Sequence, residues 1–322
     1  MSVIPTVSRD AKFGALSIGN FDGVHAGHRQ LVNDLKRLAD SVGGPSVILT
    51  FDPPPLRLLK PEVAPAALTT AARKEALLKS LGVDHVVTLS TTQELLNLTA
   101  AEFFHGIIVH ELQAKALLEG ENFHFGRGRE GNIQTLKELC LQHKIHFQLA
   151  RPQQSDGQWI SSTRVRDAIQ AGEIRQANQW LGRNHRFGGI VCQGSQRGRT
   201  IGFPTANLHD IPELVPGYGV YAARVADVEF PQSPTFTPAS LVGKTVALHI
   251  GPNPTFSEEI TKVEAHILDF SGDLYGAYLE IELLQEVRPI ERFDSKEALL
   301  EQLHRDIQFV KLVATAPPSL SI

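Results

Sequence analysis

A change in the hydrophobic pattern near Gly182-Arg183-Asn184 limits most strongly what this chain can fold into. Before that point, short apolar runs alternate with amphipathic stretches of about 10 to 15 residues, which predicts crossover helices and a parallel sheet. After it, short apolar runs follow one another between turn residues, which predicts a small antiparallel β-barrel with a terminal helix. We therefore predict an α/β domain over residues 1–183 and a barrel domain over residues 184–322, and the length of 322 residues agrees with two domains.

Local signals predict the elements of each half. In the first half, the predicted strands are Gly14–Gly19, SVILTF, DHVVTLS, AKALLEG and IHFQLA. The predicted helices follow the turn FDGVHAG, run from a cap at Thr69 or Thr70 to Gly82, and cover AAEFFHGIIVHEL and IQTLKELCLQHK. In the second half, the predicted strands are FGGIVCQG, GVYAARVADV, KTVALHIG, KVEAHILDF and AYLEIELLQEV, and Phe230–Ser240, with three prolines, is predicted to be an exposed loop.

The composition limits the partners and the compartment. Hydrophobic residues make up 42% and charged residues 20%, which is typical of a globular protein. The net charge of −4 argues against nucleic acid as the main partner, and no apolar run approaches the roughly 20 residues that span a bilayer. Cys140 and Cys192 form no metal-binding or redox spacing. We expect a cytoplasmic protein with two free thiols, no nucleic acid partner and no membrane attachment; the sequence leaves the oligomeric state open.

The segment GNFDGVHAGH (Gly19–His28) joins the first predicted strand to the first predicted helix. Its glycines allow close backbone approach to a ligand, and the unpaired N–H groups of a helix start suit a phosphate. Two histidines three residues apart can both face that site from the first helical turn. The candidate residues are Gly19, Phe21, Gly23, His25 and His28. An ordinary turn with two surface histidines is the alternative interpretation.

Two more segments of the first half combine arginines with a helix start or with glycines. In ISSTRVRDAIQAGEI, Arg164 and Arg166 can form charge-assisted hydrogen bonds with triphosphate oxygens. The candidate helix caps there are Ser161, Ser162 and Thr163. In GENFHFGRGREGN, Arg127 and Arg129 lie among four glycines and can hold an anion. A capped helix and a solvated turn are the plainer interpretations of these segments.

The second half contains GSQRGRTIGFPTANL (Gly194–Leu208), in which glycine, arginine, threonine and asparagine lie close together. Thr205 and Asn207 offer oxygen ligands that suit Mg²⁺, and Arg197 suits phosphate. The glycine spacing matches neither the P-loop nor the dinucleotide-binding pattern, so a polar hairpin loop remains the alternative. Glu264 lies between two apolar residues of KVEAHILDF, so it projects from one strand face and comes near these loop residues if the barrel closes.

Taken together, these motifs resemble those of the bifunctional prokaryotic riboflavin kinase/FMN adenylyltransferases, also called FAD synthetases. The resemblance extends from about Leu16 to about Gln308. GNFDGVHAGHRQLV, GENFHFGRGREGN and ISSTRVRDAIQAGEI resemble the adenylyltransferase module. RGRTIGFPTANL, GVYAARV, HIGPNPTF, VEAHILDF, DLYG and RPIERFDS resemble the kinase module. The number and order of the matches carry the resemblance more than any one of them.

The resemblance implies a Rossmann-like nucleotidyltransferase sheet followed by the kinase barrel. It implies that ATP phosphorylates riboflavin to FMN, and that FMN and a second ATP then give FAD and pyrophosphate, with Mg²⁺ as the cofactor. It places His25 and His28 against the ATP phosphates, and Asn122 and Arg166 near the ATP and flavin phosphates. In the kinase module it assigns Mg²⁺ and nucleotide phosphate to Thr205 and Asn207, and it makes Glu264 the base that accepts the proton of the ribityl hydroxyl. The further positions matched to ATP or phosphate are Gly19, Phe21, Gly23, Arg127, Ser161, Ser162, Thr163, Arg197 and Gly202. The positions matched to the flavin are Arg288, Glu291 and Phe293.

The chain departs from the pattern of many family members at three positions. Pro54 stands where a histidine is common, Glu173 where an aspartate follows glycine, and His249 where an asparagine is usual. Three other functions therefore remain open: a riboflavin kinase with weak or lost adenylyltransferase activity, an HxGH adenylyltransferase for a nicotinate or pantetheine phosphate, and a flavin- or nucleotide-binding regulator. The PTAN and VEAH motifs argue against the second, and the retained histidines and Glu264 argue against the third.

Overall fold

The computed structural model describes residues 7–151, 154–155, 158–194, 198, 202–231, 240–253 and 258–316. The chain divides into two compact units. The first contains the residues up to Pro65 together with Thr70–Ser161, and the second contains Ala66–Thr69 and the residues from Ser162 onward. Most of the predicted loop Phe230–Ser240 lies outside the described residues.

The first unit contains a sheet of five parallel strands in the order β3-β2-β1-β4-β5. Its strands are β1 (Ala15–Ile18), β2 (Ser46–Asp52), β3 (His85–Ser90), β4 (Ala116–Glu119) and β5 (His146–Leu149). Its helices are α1 (Ala26–Val42), α2 (Pro55–Leu59), α3 (Ala71–Ser80), α4 (Gln93–Leu96), α5 (Ala100–Phe103) and α6 (Ile133–Gln142). A short hairpin follows, with strands β6 (Gln154–Ser155) and β7 (Gln158–Trp159). The predicted parallel α/β architecture is confirmed.

Alternate residues of the strands enter two apolar cores, one on each face of this sheet. Leu16 and Ile18 of β1 pack with the core that includes Phe104 and Leu136. Ala15 packs on the other side, with the core formed by the buried face of α1. The strand order reverses direction between β1 and β4, and the crevice at the carboxyl ends of two such strands is where α/β sheets bind ligands.

The segment predicted as one helix over AAEFFHGIIVHEL has two parts. Thr99 and Glu102 form a reciprocal capping box that starts α5. From Phe104 to Glu111 the chain continues as a π-helix, and Phe104, Ile107 and Ile108 are buried. The wider turn of the π-helix keeps these apolar side chains in the core. A helix is therefore present where it was predicted, but its second part has π-helical instead of α-helical hydrogen bonds.

The second unit is a closed six-stranded barrel in the order β10-β11-β12-β9-β8-β13. Its strands are β8 (Arg186–Cys192), β9 (Ala206–His209), β10 (Gly219–Glu229), β11 (Thr245–Asn253), β12 (Glu258–Ile267) and β13 (Tyr278–Arg288). Its helices are α7 (Ser162–Gln170), α8 (Ile174–Leu181) and the terminal α9 (Lys296–Thr315). The predicted antiparallel barrel with a terminal helix is confirmed.

Alternation along the strands separates the barrel interior from its outer face. In β11, Val246, Leu248 and Ile250 are buried, so His249 lies on the opposite face of the strand. In β12, Val263 and Ala265 are buried in the same way, which places Glu264 on the outer face.

Helices α7 and α8 belong to the compact unit that contains the barrel. The buried Asn178 of α8 donates to the carbonyl of Leu283 in β13 at 3.0 Å and accepts from the backbone N–H of His185 at 2.7 Å. The helix just before the predicted domain boundary, which lies between residues 183 and 184, therefore contacts the barrel. Which segment folds on its own stays a prediction.

Candidate active sites

The first candidate site is the turn that connects β1 to α1. Phe21, Gly23 and Val24 all have positive φ, at 47°, 81° and 41°. Two of the three are not glycine, so the turn holds them in a region that L-residues rarely adopt. The backbone N–H of Gly19 donates to the carbonyl of Leu49 at 3.0 Å, which ties the start of the turn to the middle of β2.

His25 and His28 lie together at the start of α1. Their rings stack with centroids 3.8 Å apart, and the Phe21 ring lies 5.1 Å from that of His28. His25 occupies the N-cap position but makes no side-chain capping bond, and it is only 5% exposed. The two histidines lie together at a helix start, as their spacing predicted, and His25 is buried rather than a surface histidine. That they face a ligand site stays a prediction. The first-turn N–H groups and the two imidazoles form a donor-rich surface that suits a polyphosphate.

A buried lysine behind this turn was missed by the sequence analysis. Lys74 of α3 donates to the hydroxyl of Thr50 at 2.9 Å, and that hydroxyl donates to the carbonyl of Asn20 at 3.3 Å. Burial lowers the pKa of Lys74, and the nearby Asp22 and Asp52 oppose that shift. These two hydrogen bonds hold the carbonyl of Asn20, which belongs to the turn. The spacing of Lys74 on the apolar face of α3, four residues before Leu78, was the available signal.

The sequence analysis also missed Glu119, at the end of β4. Its side chain is 3% exposed, and its Oε1 accepts from the backbone N–H of Ile18 at 2.5 Å. Burial raises the pKa of Glu119 well above its ordinary value, and the hydrogen bond from Ile18 opposes the shift only in part. The carboxyl group thus replaces a backbone acceptor where β1 and β4 separate. A charged residue ending an apolar strand was the signal.

The other predicted residues of the first half lie at several places. Asn122 is exposed and follows β4 by three residues, at the carboxyl edge of the sheet. Arg127 begins a short 3₁₀ turn and is exposed, with its backbone N–H bonded to the carbonyl of Leu98 at 2.7 Å. Ser161 precedes α7, while Ser162 and Thr163 form the first turn of that helix.

The two arginines of α7 have contacts within the second unit. Arg166 donates through Nε to the carbonyl of Ala66 at 2.9 Å, so a backbone oxygen holds one edge of its planar guanidinium group. Arg164 stacks over the ring of Trp180, with its guanidinium carbon 4.3 Å from the ring centroid. The structure therefore gives Arg164 a packing role that the sequence did not predict.

The second candidate site is a row of three side chains across the barrel. Glu264 of β12 pairs directly with Asn207 of β9 on one side and with His249 of β11 on the other. Directly opposite residues of antiparallel strands project from the same face, with Cβ atoms about 4.5–5.5 Å apart. The exposed fraction is 6% for Asn207, and 13% and 23% for the side chains of Glu264 and His249. The expectation that closure of the barrel brings Glu264 near the PTAN residues is confirmed.

Neighbouring groups position Asn207 and its loop. A Cβ at Gly194 would lie 2.2 Å from the Asn207 amide nitrogen, so only glycine leaves room for this side chain. His266, on the same face of β12 as Glu264, donates through Nδ1 to the carbonyl of Pro204 at 2.7 Å. The ring of Phe203 packs edge-on against His266 at 5.6 Å. These contacts hold the loop before β9 against the barrel.

A pocket of about 400 Å³ adjoins this loop. Thr205 lies in its wall and is exposed. Its other lining residues include Pro204, Ala265, Phe270, Asp273 and Tyr275. The hydroxyl of Thr205 and the amide oxygen of Asn207 are hard oxygen donors on one short segment, as Mg²⁺ prefers. Gly202, in the same loop, has a φ of 89°, and the predicted Arg197 lies outside the described residues.

The candidate flavin residues follow β13. Arg288 forms a two-point ion pair with the buried Asp306 of α9, with Nη2 2.9 Å and Nε 3.0 Å from Oδ2. The Phe293 ring lies under its guanidinium at 5.5 Å, and Glu291 is exposed. Arg288 is also one of the charges that act on the imidazole of His249. The structure thus brings Arg288 and Phe293 together beside the row.

Comparison with known proteins finds one family model for each half of the chain and relatives along nearly its whole length. Residues 8–164 match the family model described as FAD synthetase, and residues 181–314 match that described as riboflavin kinase. A bifunctional riboflavin kinase/FMN adenylyltransferase of Pseudomonas fluorescens is 36% identical over 299 residues, which is 92% of each chain. The protein of the same name from Escherichia coli strain K12 is 34% identical over 291 residues, which is 90% of each chain.

A solved structure with a different description has the same fold. It is described as a macrolide-efflux protein from Streptococcus pneumoniae, and it matches with a TM-score of 0.76 and 28% identity over 96% of this chain and 99% of that one. In the part of the chain that the structure describes, no helix combines the length and the apolar character needed to cross a membrane. Both family models match, in succession, and relatives match along nearly the whole chain, so the chain belongs to the family of bifunctional riboflavin kinase/FMN adenylyltransferases.

Proposed function

We propose that the barrel unit phosphorylates riboflavin with ATP, and that the sheet unit then adenylylates the resulting FMN with a second ATP. Both family domains are present, and the relatives carry both activities in their names. The observation that carries the kinase assignment is the direct cross-strand pairing of Glu264 with Asn207. It supplies a carboxylate beside an oxygen donor for the phosphate-bound cation, on one half-buried face.

In the kinase reaction, Glu264 is proposed to accept the proton of the terminal ribityl hydroxyl. The hydroxyl oxygen attacks the γ-phosphorus of ATP, and the bond from that phosphorus to the β–γ bridging oxygen breaks, releasing ADP. A neutral alcohol is a poor nucleophile, so a positioned carboxylate contributes about 10² to 10⁴ in rate. The pocket beside Thr205, of about 400 Å³, is the proposed nucleotide site. Arg288, Glu291 and Phe293 are proposed to hold the flavin.

The residues around Asn207 fit a magnesium ion. Thr205 and Asn207 would hold it, and Mg²⁺ with few protein ligands completes its octahedron with water and phosphate oxygens. When bound, the ion supplies charge neutralisation on the transferring phosphoryl group. Gly194 leaves the space in which the Asn207 amide lies, so a larger residue there would displace this proposed ligand.

In the adenylyl transfer, a phosphate oxygen of FMN is proposed to attack the α-phosphorus of ATP, and pyrophosphate leaves. The nucleophile is already anionic, so the protein mainly aligns the reactants and stabilises charge on the leaving group. His25, His28 and the first-turn N–H groups of α1 are proposed to donate to that pyrophosphate. In the first unit, further phosphate contacts are proposed for Asn122 and for Gly19, Phe21, Gly23, Arg127 and Ser161. Ser162, Thr163 and Arg166 lie in the second unit and are proposed as phosphate-binding residues on their motif alone.

One assay tests the whole proposal. The purified chain is incubated with riboflavin, ATP and Mg²⁺, and the flavins are separated by chromatography. We expect FMN to appear first and FAD to follow. FMN without FAD supports a kinase alone, and no conversion of either flavin contradicts the proposal. We place the reaction in the cytoplasm, because both cysteines are free thiols, as a reducing compartment maintains them.

The proposed division at residues 183 and 184 is tested with two fragments. Fragments 162–322 and 184–322 should both phosphorylate riboflavin, since the kinase residues lie after residue 184. The shorter fragment should unfold at a lower temperature, because it lacks the Asn178 bonds to Leu283 and His185. Circular dichroism reports folding and the flavin assay reports activity. A folded fragment 162–322 that makes no FMN would place part of the kinase site in the first unit.

A further inference from the structure

His249 lies beside the proposed base, and the function above does not use it. It is the direct cross-strand partner of Glu264, on the side opposite Asn207. Its Nδ1 lies 3.8 Å from Glu264 Oε2. That distance is too long for a hydrogen bond but short enough that a small side-chain rotation would form one.

The Nδ1 atom of His249 is buried and has no hydrogen-bond partner among the described residues. A buried polar atom without a partner is costly, and such atoms in native structures call for an explanation. The carboxylate of Glu264 is the acceptor that the strand register places in front of this nitrogen.

The surroundings of His249 favour an uncharged ring. Burial lowers its pKa most, and Arg288 and Lys262 lower it further, while Glu264 raises it. A neutral imidazole carries one N–H, which Nδ1 can hold, and the other nitrogen is then an acceptor. A neutral donor orients a carboxylate oxygen without neutralising it as a permanent ion pair would.

We propose that His249 is a positioning residue for riboflavin phosphorylation: its Nδ1–H donates to Glu264 Oε2 in the substrate complex and leaves Oε1 directed at the ribityl hydroxyl. The base removes a proton through one oxygen while the other is held, an arrangement in which a third group orients the general base. This inference rests on the proposed role of Glu264.

Three variants of the full-length chain separate a positioned donor from mere space filling. In His249→Leu the donor is lost and an apolar side chain fills its place. In His249→Asn the amide nitrogen occupies nearly the place of Nδ1, and in His249→Gln it lies nearer the place of Nε2. We expect kcat for FMN formation to fall by about 10- to 100-fold in the Leu and Gln variants, as for other groups that orient a reactive residue. The Asn variant should keep most of the activity, and the KM values for riboflavin and ATP should change less than about twofold.

A double-mutant cycle with Glu264→Gln tests whether His249 acts through the carboxylate. In the Glu264→Gln background, His249→Leu should cause no further loss of kcat. Equal losses with and without Glu264 would overturn the proposal, and so would a Leu variant with unchanged kcat or an Asn variant as slow as Leu.

The design distinguishes two failures. If Glu264→Gln alone leaves FMN formation unchanged, the proposed base is wrong. If Glu264→Gln is slow but His249→Leu is not, only the role of His249 is wrong. Thermal unfolding of each variant, with exposed His146→Leu as a matched substitution on the other unit, checks that the barrel remains folded.

Discussion

In the first unit, the candidate phosphate-binding groups lie on a bent segment between β1 and α1, whereas in the second unit Asn207, Glu264 and His249 lie in one row across three hydrogen-bonded strands. The turn depends on backbone conformation, with positive φ at Phe21 and Val24. The row depends on strand register, which the buried face of each strand specifies strongly. Substitutions in the row should therefore remove one chemical group cleanly, while those in the turn change donors and local backbone together.

Two carboxylates sharpen the contrast. Glu119 is buried, ends a parallel strand and accepts the N–H of Ile18. Glu264 is half-buried on an antiparallel strand and faces His249 and Asn207. The first replaces a backbone acceptor and so has a structural role; the second is the proposed base of the kinase reaction.

The largest expected effect is that of Glu264→Gln on the kinase reaction. The amide keeps the shape but cannot accept the proton, so FMN formation should fall by about 10² to 10⁴. Conversion of supplied FMN to FAD should remain within about twofold, because His25 and His28, the donors proposed for adenylyl transfer, lie in the other unit. Both rates are measured on one purified preparation. Exposed Glu301→Gln on α9 is the matched control, and equal loss of both reactions would contradict separate sites.

A smaller effect is expected at the turn. His28→Ala should slow FAD formation from FMN by about 10² to 10³, the contribution of one preorganised donor to developing charge, or roughly 2.7–4 kcal/mol. His25→Ala should act in the same direction, and His28→Asn should keep part of the rate because its amide still donates. FMN formation from riboflavin should not change.

The exposed His110 supplies the control for this pair. Its side chain is 83% exposed, so His110→Ala should change FAD formation by less than about twofold. If His25→Ala and His28→Ala also form FAD at nearly the wild-type rate, the proposed adenylyl site is wrong.

Local patterns predicted the helices and strands well. They did not predict the side-chain pairs that depend on the register between strands far apart in the sequence. The alternation of apolar residues located the strands, and the position of Glu264 on an outer face followed from it. The exact pairing of Glu264 with Asn207 did not, because β10 and β11 lie between β9 and β12 in the sequence and the closed barrel sets the register of these two strands.

Buried charges account for most of the remaining misses. Lys74 and Glu119 were not predicted as site or core residues, because charged side chains are rarely fully buried unless paired. Arg164, a candidate for phosphate binding, stacks on Trp180, and spacing within one helix does not reveal this contact between α7 and α8. The π-helical turns after Phe103 likewise depend on how the core is filled, not on a local breaker residue.

The smallest expected effect concerns the stability of the first unit and its dependence on pH. Burial raises the pKa of Glu119 in the folded state, whereas an unfolded glutamate titrates near about 4.3. Between these two pKa values the folded chain holds a proton that the unfolded chain has released, so stability falls as pH rises through this range. Glu119→Gln cannot release a proton and keeps an oxygen to accept from Ile18. The free energy of unfolding of the variant should therefore gain on the wild type by up to about 1.4 kcal/mol per pH unit above about pH 4.3, until the raised pKa is passed.

Urea unfolding at several pH values, followed by Trp159 fluorescence in a Trp180→Phe background, measures this difference in the first unit. The slope of the unfolding free energy against pH decides the test. Any cost of accommodating the amide hydrogens of the glutamine side chain is the same at every pH and does not change this slope. Glu102→Gln is a suitable control: hydrogen bonds from Thr99 lower the pKa of that exposed carboxylate, so its loss should matter more as pH rises from acid values and then stay constant. Parallel stability curves for Glu119→Gln and the wild type would mean that Glu119 is ionised in the folded chain. The contrast between Glu119 and Glu264 would then lie only in their burial, position and contacts.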